Sequence, residues 1–239
     1  MRRFATRARL EAGDRTEVAE PVAGPVRGHR TGRRGFMFVR TVYATGDPAG
    51  LDTAIRALNS EGHDLLEERP GYRGAGVFVD RDLGKLLTVS WWESEEARHN
   101  SDEVMRERRP ALLEPFAGTV AVENYEAAVF HTIQRPTAGG GLRIARVEFD
   151  PADTDLFADT FHASVVPRLE TLPGLARAAL FVDRDRGRGL VGTLFTDRAC
   201  LAASRAAHAA IRHEGAAKAH VAVVGLEEFE VVHADAHAG

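Results

Sequence analysis

Apolar positions along residues 36–235 recur in two registers, alternating in some runs and falling at helical spacing in others. Phe36–Tyr43 is rich in Phe, Val, Thr and Tyr and predicts a strand. Leu51, Ile55, Leu58, Leu65 and Leu66 predict a helix over 50–68, which Pro70-Gly71 ends. Tyr72–Asp80 and Lys85–Trp92 predict two strands around a short turn. Ser94 is placed to cap a second helix, with Glu95 and Glu96 in its first turn. Pro110 is expected to break or kink that helix. Thr119–Phe130 predicts a last strand, and the order β-α-β-β-α-β is the ferredoxin-like arrangement.

The pattern then starts again. Pro70-Gly71-Tyr72, Phe78-Val79-Asp80-Arg81-Asp82 and Gly84 return as Pro173-Gly174-Leu175, Phe181-Val182-Asp183-Arg184-Asp185 and Gly187, each 103 residues on. Asp47-Pro48 and Asp150-Pro151 share that offset. The second copy predicts a strand at 142–149, a helix at 153–172, strands at 175–183 and 188–196, a helix at 197–213 and a strand at 219–233. The chain is thus read as a basic arm (1–35), a first domain (36–132), a linker (133–141), a second domain (142–235) and a tail (236–239). Pro136 and Gly139–Gly141 mark the linker as flexible. So short a connection leads to an α+β expectation in which the two tandem ferredoxin-like domains pair sheet to sheet within one chain. A further homodimer is allowed and not required.

Charge refines this picture. Residues 1–35 hold nine arginines and four acidic residues, so a chain of formal charge −4 is distinctly acidic outside the arm. That argues against nucleic acid as a partner. The arm has the composition of a disordered tail and lacks a signal-peptide core. Met37 opens the first strongly apolar run and is a candidate start of translation. No apolar run approaches the ~18 residues of a membrane span. The single Cys200 excludes an intrachain disulfide and suits the cytoplasm.

Candidate chemistry is sparse. Asp-Arg-Asp-x-Gly is too short for a calcium loop and reads as a hairpin turn. On Lys85–Trp92, Leu87, Val89 and Trp91 share an apolar face expected to lie under the helices. Leu86, Thr88, Ser90 and Trp92 share the other, which mixes hydroxyls with aromatic surface as a binding pocket does, unless Trp92 merely fills the barrel. At the 103-residue offset Trp92 becomes Phe195, His63 becomes Val166 and His99 becomes Ala202, so the first copy is the better-equipped half. Arg40-Thr-Val-Tyr43 matches Arg146-Val-Glu-Phe149 if a three-residue gap is allowed. A buried arginine there needs a counter-charge, such as Glu123 or Glu148, or an anionic or phenolate ligand. No predicted helix carries a His-x-x-x-His spacing, and no metal is expected. Neither a phosphate-binding glycine loop nor a nucleophile elbow is present.

Trp92-Glu93-Ser94-Glu95-Glu96-Ala97, following Pro70-Gly71-Tyr72 and the hairpin, resembles the antibiotic biosynthesis monooxygenase (ABM) family of the dimeric α/β-barrel superfamily. The resemblance covers nearly all of 37–132 and extends more faintly over 142–233, where Trp-Glu-Ser has become Phe195-Thr196-Asp197. It implies two sheets paired face to face, usually from two chains and here from two tandem copies. Members include cofactor-free oxygenases of aromatic polyketides, haem-degrading enzymes and proteins with no assigned reaction. The cofactor-free oxygenases deprotonate a phenol or quinol whose carbanion then reduces oxygen, which requires a base, an apolar pocket and an oxyanion partner. Residue chemistry, rather than a motif match, suggests His63 as base, Arg40 as anion partner and Tyr43 as hydrogen-bonding group, with Trp92, Ser90 and Thr88 lining the substrate. The expectation is a cofactor-independent monooxygenase acting on an aromatic or polyketide-like small molecule. A non-catalytic small-molecule-binding or regulatory protein of the same fold is the alternative. A haem protein is a further one: the haem-degrading members use an Asn on the first strand and a Trp and a His on the second helix. Of these only a histidine is matched, at His99 or, better placed, at His208.

Overall fold

Residues 37–235 are described by a computed structural model, so the readings of the arm (1–35) and the tail (236–239) lie outside the described residues. Eight strands form a closed antiparallel barrel: β1 (Met37–Gly46), β2 (Tyr72–Asp80), β3 (Lys85–Trp92), β4 (Ala117–Thr132), β5 (Gly141–Glu148), β6 (Leu175–Asp183), β7 (Arg188–Phe195) and β8 (Ala222–Ala234). Their order around the barrel is β1-β3-β2-β8-β5-β7-β6-β4, with β4 closing on β1. The first four strands and the last four each form a contiguous arc, joined at the β2–β8 and β4–β6 seams.

Helices cover the outside of each arc. In the first half, α1 (Pro48–Ala57) runs through a π turn (Leu58–Gly62) into α2 (His63–Glu67), and α3 spans Glu95–Leu113. In the second half, a 3-10 turn (Pro151–Asp153), α4 (Thr154–Thr160), a π turn (Phe161–Val165) and α5 (Val166–Leu169) occupy the matching place, followed by α6 (Arg198–Ala203) and α7 (Arg205–Lys218). Both π turns begin at the same position of the 103-residue register.

The repeated motifs have local structural roles. Asp47 and Asp150 cap their helices by accepting from Ala49 and Ala152 N–H, each at 2.9 Å. Asp80 Oδ1 accepts from the backbone of Asp82 and Leu83, making the turn that the sequence suggests. Gly84 closes it at φ +58°, and a Cβ there would lie 2.3 Å from the Gly46 carbonyl oxygen. The motif's central arginine does more. Arg184 bonds Glu126 of β4 at 2.9 Å and Asp155 at 2.8 Å, spanning the β4–β6 seam. Arg81 likewise bonds Asp52 at 2.6 Å and approaches Glu230 of β8 to 3.5 Å across the β2–β8 seam.

Three expectations need correction. The helix does not stop at Pro110: α3 continues to Leu113, because buried Leu112, Leu113 and Phe116 anchor its last turn. The glycines before β5 are pinned rather than flexible. Gly139 N–H bonds the Val231 carbonyl at 2.8 Å, and a Cβ on Gly140 would lie 2.6 Å from the Phe195 carbonyl oxygen. The faces of β3 are also exchanged. Leu87, Val89 and Trp91 point into the barrel, whereas Leu86 packs beneath the helices. Closure of the sheet turns the apolar face inward, where side chains of both arcs meet it.

One end of the barrel interior is charged. Glu227 of β8 accepts from Tyr43 at 2.8 Å, from Lys85 at 3.0 Å and from Arg146 at 3.2 Å. Arg146 also bonds Glu123 at 3.3 Å and lies over the Tyr43 ring at 5.0 Å. Burial alone would raise the Glu227 carboxyl, but these donors hold it below its ordinary range. The network ties the halves together, so Glu227→Gln should cost about 3 kcal/mol in urea unfolding at neutral pH. Because the folded-state pKa is lowered, that contribution is complete above the ordinary carboxylate pKa and fades as pH falls through the folded value. The wild-type and variant stabilities should therefore converge in acid.

Candidate functional site

A cavity of about 60 Å³ lies in the first half, between the outer face of β1, β3 and β2 and the covering helices. Arg40 and Val42 of β1, Thr88 and Ser90 of β3, and Ala75–Val77 of β2 form its floor. The π turn supplies Leu58, Asn59 and Gly62 along one wall, and α3 supplies Met105, Arg109 and Leu112 along another. His63, at the start of α2, and His233 of β8 complete it. Widening a helix by a π turn is a recurrent way of shaping a site.

Four of the sequence-derived candidates therefore converge: Arg40, His63, Thr88 and Ser90. Two do not. Tyr43 points into the barrel, into the network around Glu227. Trp92 does not line the cavity and is sealed under the helices with no exposed surface. Its indole N–H donates to Ser90 Oγ at 3.1 Å, its ring meets Tyr72 edge-on at 5.6 Å, and Arg40 lies 5.8 Å from its centroid. It positions the floor of the cavity rather than walling it.

Arg40 is 3% exposed. Nη1 donates to Ser101 Oγ at 3.0 Å and Nη2 to the Arg98 carbonyl. Its counter-charge is Asp102, 3.6 Å away, and neither Glu123 nor Glu148; Glu123 serves Arg146 inside the barrel, and Glu148 lies beside Arg188. Asp102 is shared with Arg106 at 2.6 Å and Arg109 at 3.5 Å. Burial, only partly offset by Asp102 and reinforced by the other arginines, pushes the Arg40 guanidinium down to about 10. His63 is half-buried, with Nδ1 3.7 Å from Glu67, and its ring meets Tyr72 and His233 edge-on at 6.4 and 6.1 Å.

The second half holds a corresponding cavity of about 40 Å³. Its lining follows the same register: Ala145, Phe161, Val165, Leu169, Val191, His208 and Arg212. The arginine equivalent to Arg40 is Arg143, at the main 103-residue offset, and not Arg146. Arg143 donates to Ser204 and to the Leu201 carbonyl as Arg40 does to Ser101 and Arg98. Its remaining donors meet Glu228, Nε at 3.0 Å and Nη2 at 2.7 Å. His208 stands where the first half has Met105. Its Nδ1 accepts from Arg212 at 3.3 Å, which leaves Nε2–H to donate to Thr193 Oγ1 at 3.2 Å. Burial first, then Arg143 and Arg212, pushes the imidazole down to about 4.

Arg109, Asp102 and Ser101 were not singled out from the sequence. The signal was available: Arg40/Arg143, Ser101/Ser204 and Arg109/Arg212 are identical pairs at the repeat offset, and the gapped match to Arg146 obscured them.

No protein-family model matches the chain. The uncharacterized protein Rv2557 of Mycobacterium tuberculosis H37Rv is 31% identical over 167 residues, covering 70% of this chain and 75% of the relative. The chain belongs to the Rv2557 family. Among solved structures, an anthrone oxidase-like protein superposes with a TM-score of 0.64 at 14% identity, over 87% of this chain and 95% of that one. A monooxygenase-like protein from Lactobacillus acidophilus NCFM gives 0.61 at 13% identity, over 82% and 93%. This family member thus shares the eight-stranded α+β barrel of monooxygenase-like proteins. Among the described residues no helix is long and apolar enough to cross a membrane.

Two outcomes test this geometry. Phe195, with no exposed surface, is a core residue, and Phe195→Ala should cost about 3–5 kcal/mol in chemical denaturation. His208 is held neutral in the fold, so the unfolded chain binds a proton that the native state refuses. Stability should decline as pH falls from the ordinary histidine value of 6.5 towards about 4. His208→Gln should flatten that decline.

Proposed function

We propose that the protein is a cofactor-independent monooxygenase acting on an aromatic small molecule, built from two tandem ferredoxin-like domains of the ABM type, with its site in the first. The observation that carries this reading is the convergence of Arg40, Thr88, Ser90 and His63 on a mainly apolar cavity, within a fold shared with an anthrone oxidase-like protein. His63 accepts a proton from an activated phenolic or quinolic carbon acid, and Arg40 with the Thr88 and Ser90 hydroxyls faces the resulting anion. The carbanion passes one electron to oxygen, and the radical pair combines to a peroxide. The proton returns from His63, and the hydroperoxide loses water to leave a carbonyl. One CH₂ group and one O₂ are consumed; one C=O and one water are formed.

A haem reading finds less support. Both ring nitrogens of His208 are engaged, and the cavity beside it is about 40 Å³. One observation favours a second reading, a non-catalytic small-molecule-binding protein. At about 10–15 Å³ of such space per water, the first cavity holds only about four to six waters, so a fused-ring polyketide enters only if the α1–α2 segment moves.

Oxygen uptake with 1-naphthol- and anthrone-type substrates separates the two. The wild type should consume oxygen and His63→Ala should be slower by about 10²–10⁴-fold. An unchanged rate in His63→Ala would reject the histidine as base. A wild type inert towards every such substrate would leave the binding reading in place.

A further inference from the structure

The two cavities share a scaffold and differ in how their arginines are satisfied. In the second half neither arginine beside the cavity, Arg143 or Arg212, leaves a buried donor unbonded. Arg143 meets Glu228 through two nitrogens, and Arg212 is bonded to His208. In the first half the corresponding partners are gone. The strand residue beside Arg40 is Asn124, where Arg143 has Glu228. The carboxylate has moved to the helix as Asp102, at the position that Arg205 occupies in the second half. Met105, which replaces His208, accepts no hydrogen bond from Arg109.

The result is a surplus of cationic donors at the cavity. Arg40 and Arg109 both line it. The Nε of Arg40, and both Nε and Nη2 of Arg109, are shielded from solvent and make no hydrogen bond. Asp102 Oδ1 faces two of these atoms, Arg40 Nε at 3.6 Å and Arg109 Nη2 at 3.5 Å, so it balances charge without a close hydrogen bond; its short contact is with Arg106. Buried donors without acceptors are costly, and two adjacent guanidiniums add mutual repulsion. Such a donor set is retained at a cost that an incoming anion removes. Planar guanidinium forks match the geometry of a carboxylate. Leu58, Leu66 and Leu112 give the cavity an apolar wall, and the free space suits one ring rather than three.

We infer that the first-half cavity selects a single-ring aromatic carboxylate, with Arg109 as the specificity-determining residue beside Arg40. This rests on the assignment of the functional site to that cavity. It refines the substrate class: the ring packs on the leucines and the carboxylate takes the unpartnered guanidinium donors. Arg212, bonded to His208, gives the second half no such preference.

Titration calorimetry on the full chain, with benzoate and its neutral isostere benzamide as probes, tests the assignment. Benzoate should bind at least about tenfold more tightly than benzamide, a difference of about 1.4 kcal/mol. Arg109→Met should reduce benzoate affinity to the benzamide level while leaving benzamide binding unchanged. Arg109→Lys, which keeps the charge without the fork, should retain part of the preference and guards against a trivial loss of fold. Arg212→Met should leave both probes unaffected. Equal affinities for the two probes in the wild type, no heat with benzoate, or an equal loss in Arg212→Met would each overturn the proposal. Benzoate selectivity without oxygen uptake would sustain it while removing the oxygenase reading. Oxygen uptake with neutral anthrone and no benzoate selectivity would do the reverse.

Discussion

Four strand edges decide this architecture. The arc β2-β3-β1-β4 and the arc β6-β7-β5-β8 would each end in two rows of unpaired backbone groups, an invitation to aggregation. Pairing β2 with β8 and β4 with β6 removes all four at once. The interior then has to be filled from both arcs, which places the uniformly apolar faces inward and leaves the mixed faces for the helices. The cavities follow from this, because they form between sheet and helix and not inside the barrel. Arg81 and Arg184 reinforce the two seams from outside, and the Glu227 network joins the arcs from within.

Within that frame the halves share the same supports and differ in what the supports hold. An arginine on the first strand of each arc reaches a serine hydroxyl and a helix carbonyl in the same geometry. Around it, one half places its carboxylate on the strand, where it meets the arginine squarely. The other places it on the helix, where three arginines share it. The contrast concerns partners and not scaffold, which is why it is invisible in the element order.

Much of the architecture was legible in the sequence. The strands Tyr72–Asp80 and Lys85–Trp92 appear with the expected bounds, since turn residues and β-rich runs mark them sharply. The orientation of β3 was not legible, because alternation separates two faces without saying which one closes inward. Pro110 misled because tertiary burial of Leu112 and Leu113 outweighs one lost helical hydrogen bond. Of the candidate site, the position of His63 and of the two β3 hydroxyls could be read from helix and strand period. The separation of Tyr43 from Arg40 follows from the same alternation, odd against even along β1. Asp102 and Arg109 required the three-dimensional pairing of α3 with the sheet, although the repeat register already carried their trace.

The covalent joining of the two arcs has an evolutionary consequence. In a barrel made by two identical chains, symmetry duplicates every substitution, so an unfavourable buried charge is suffered twice. A single chain carries no such obligation. One arc can tolerate an electrostatically strained recess while its counterpart, whose recess leaves no buried guanidinium donor unbonded, keeps the whole closed. Asymmetry between the arcs, rather than any added element, is what distinguishes the two recesses.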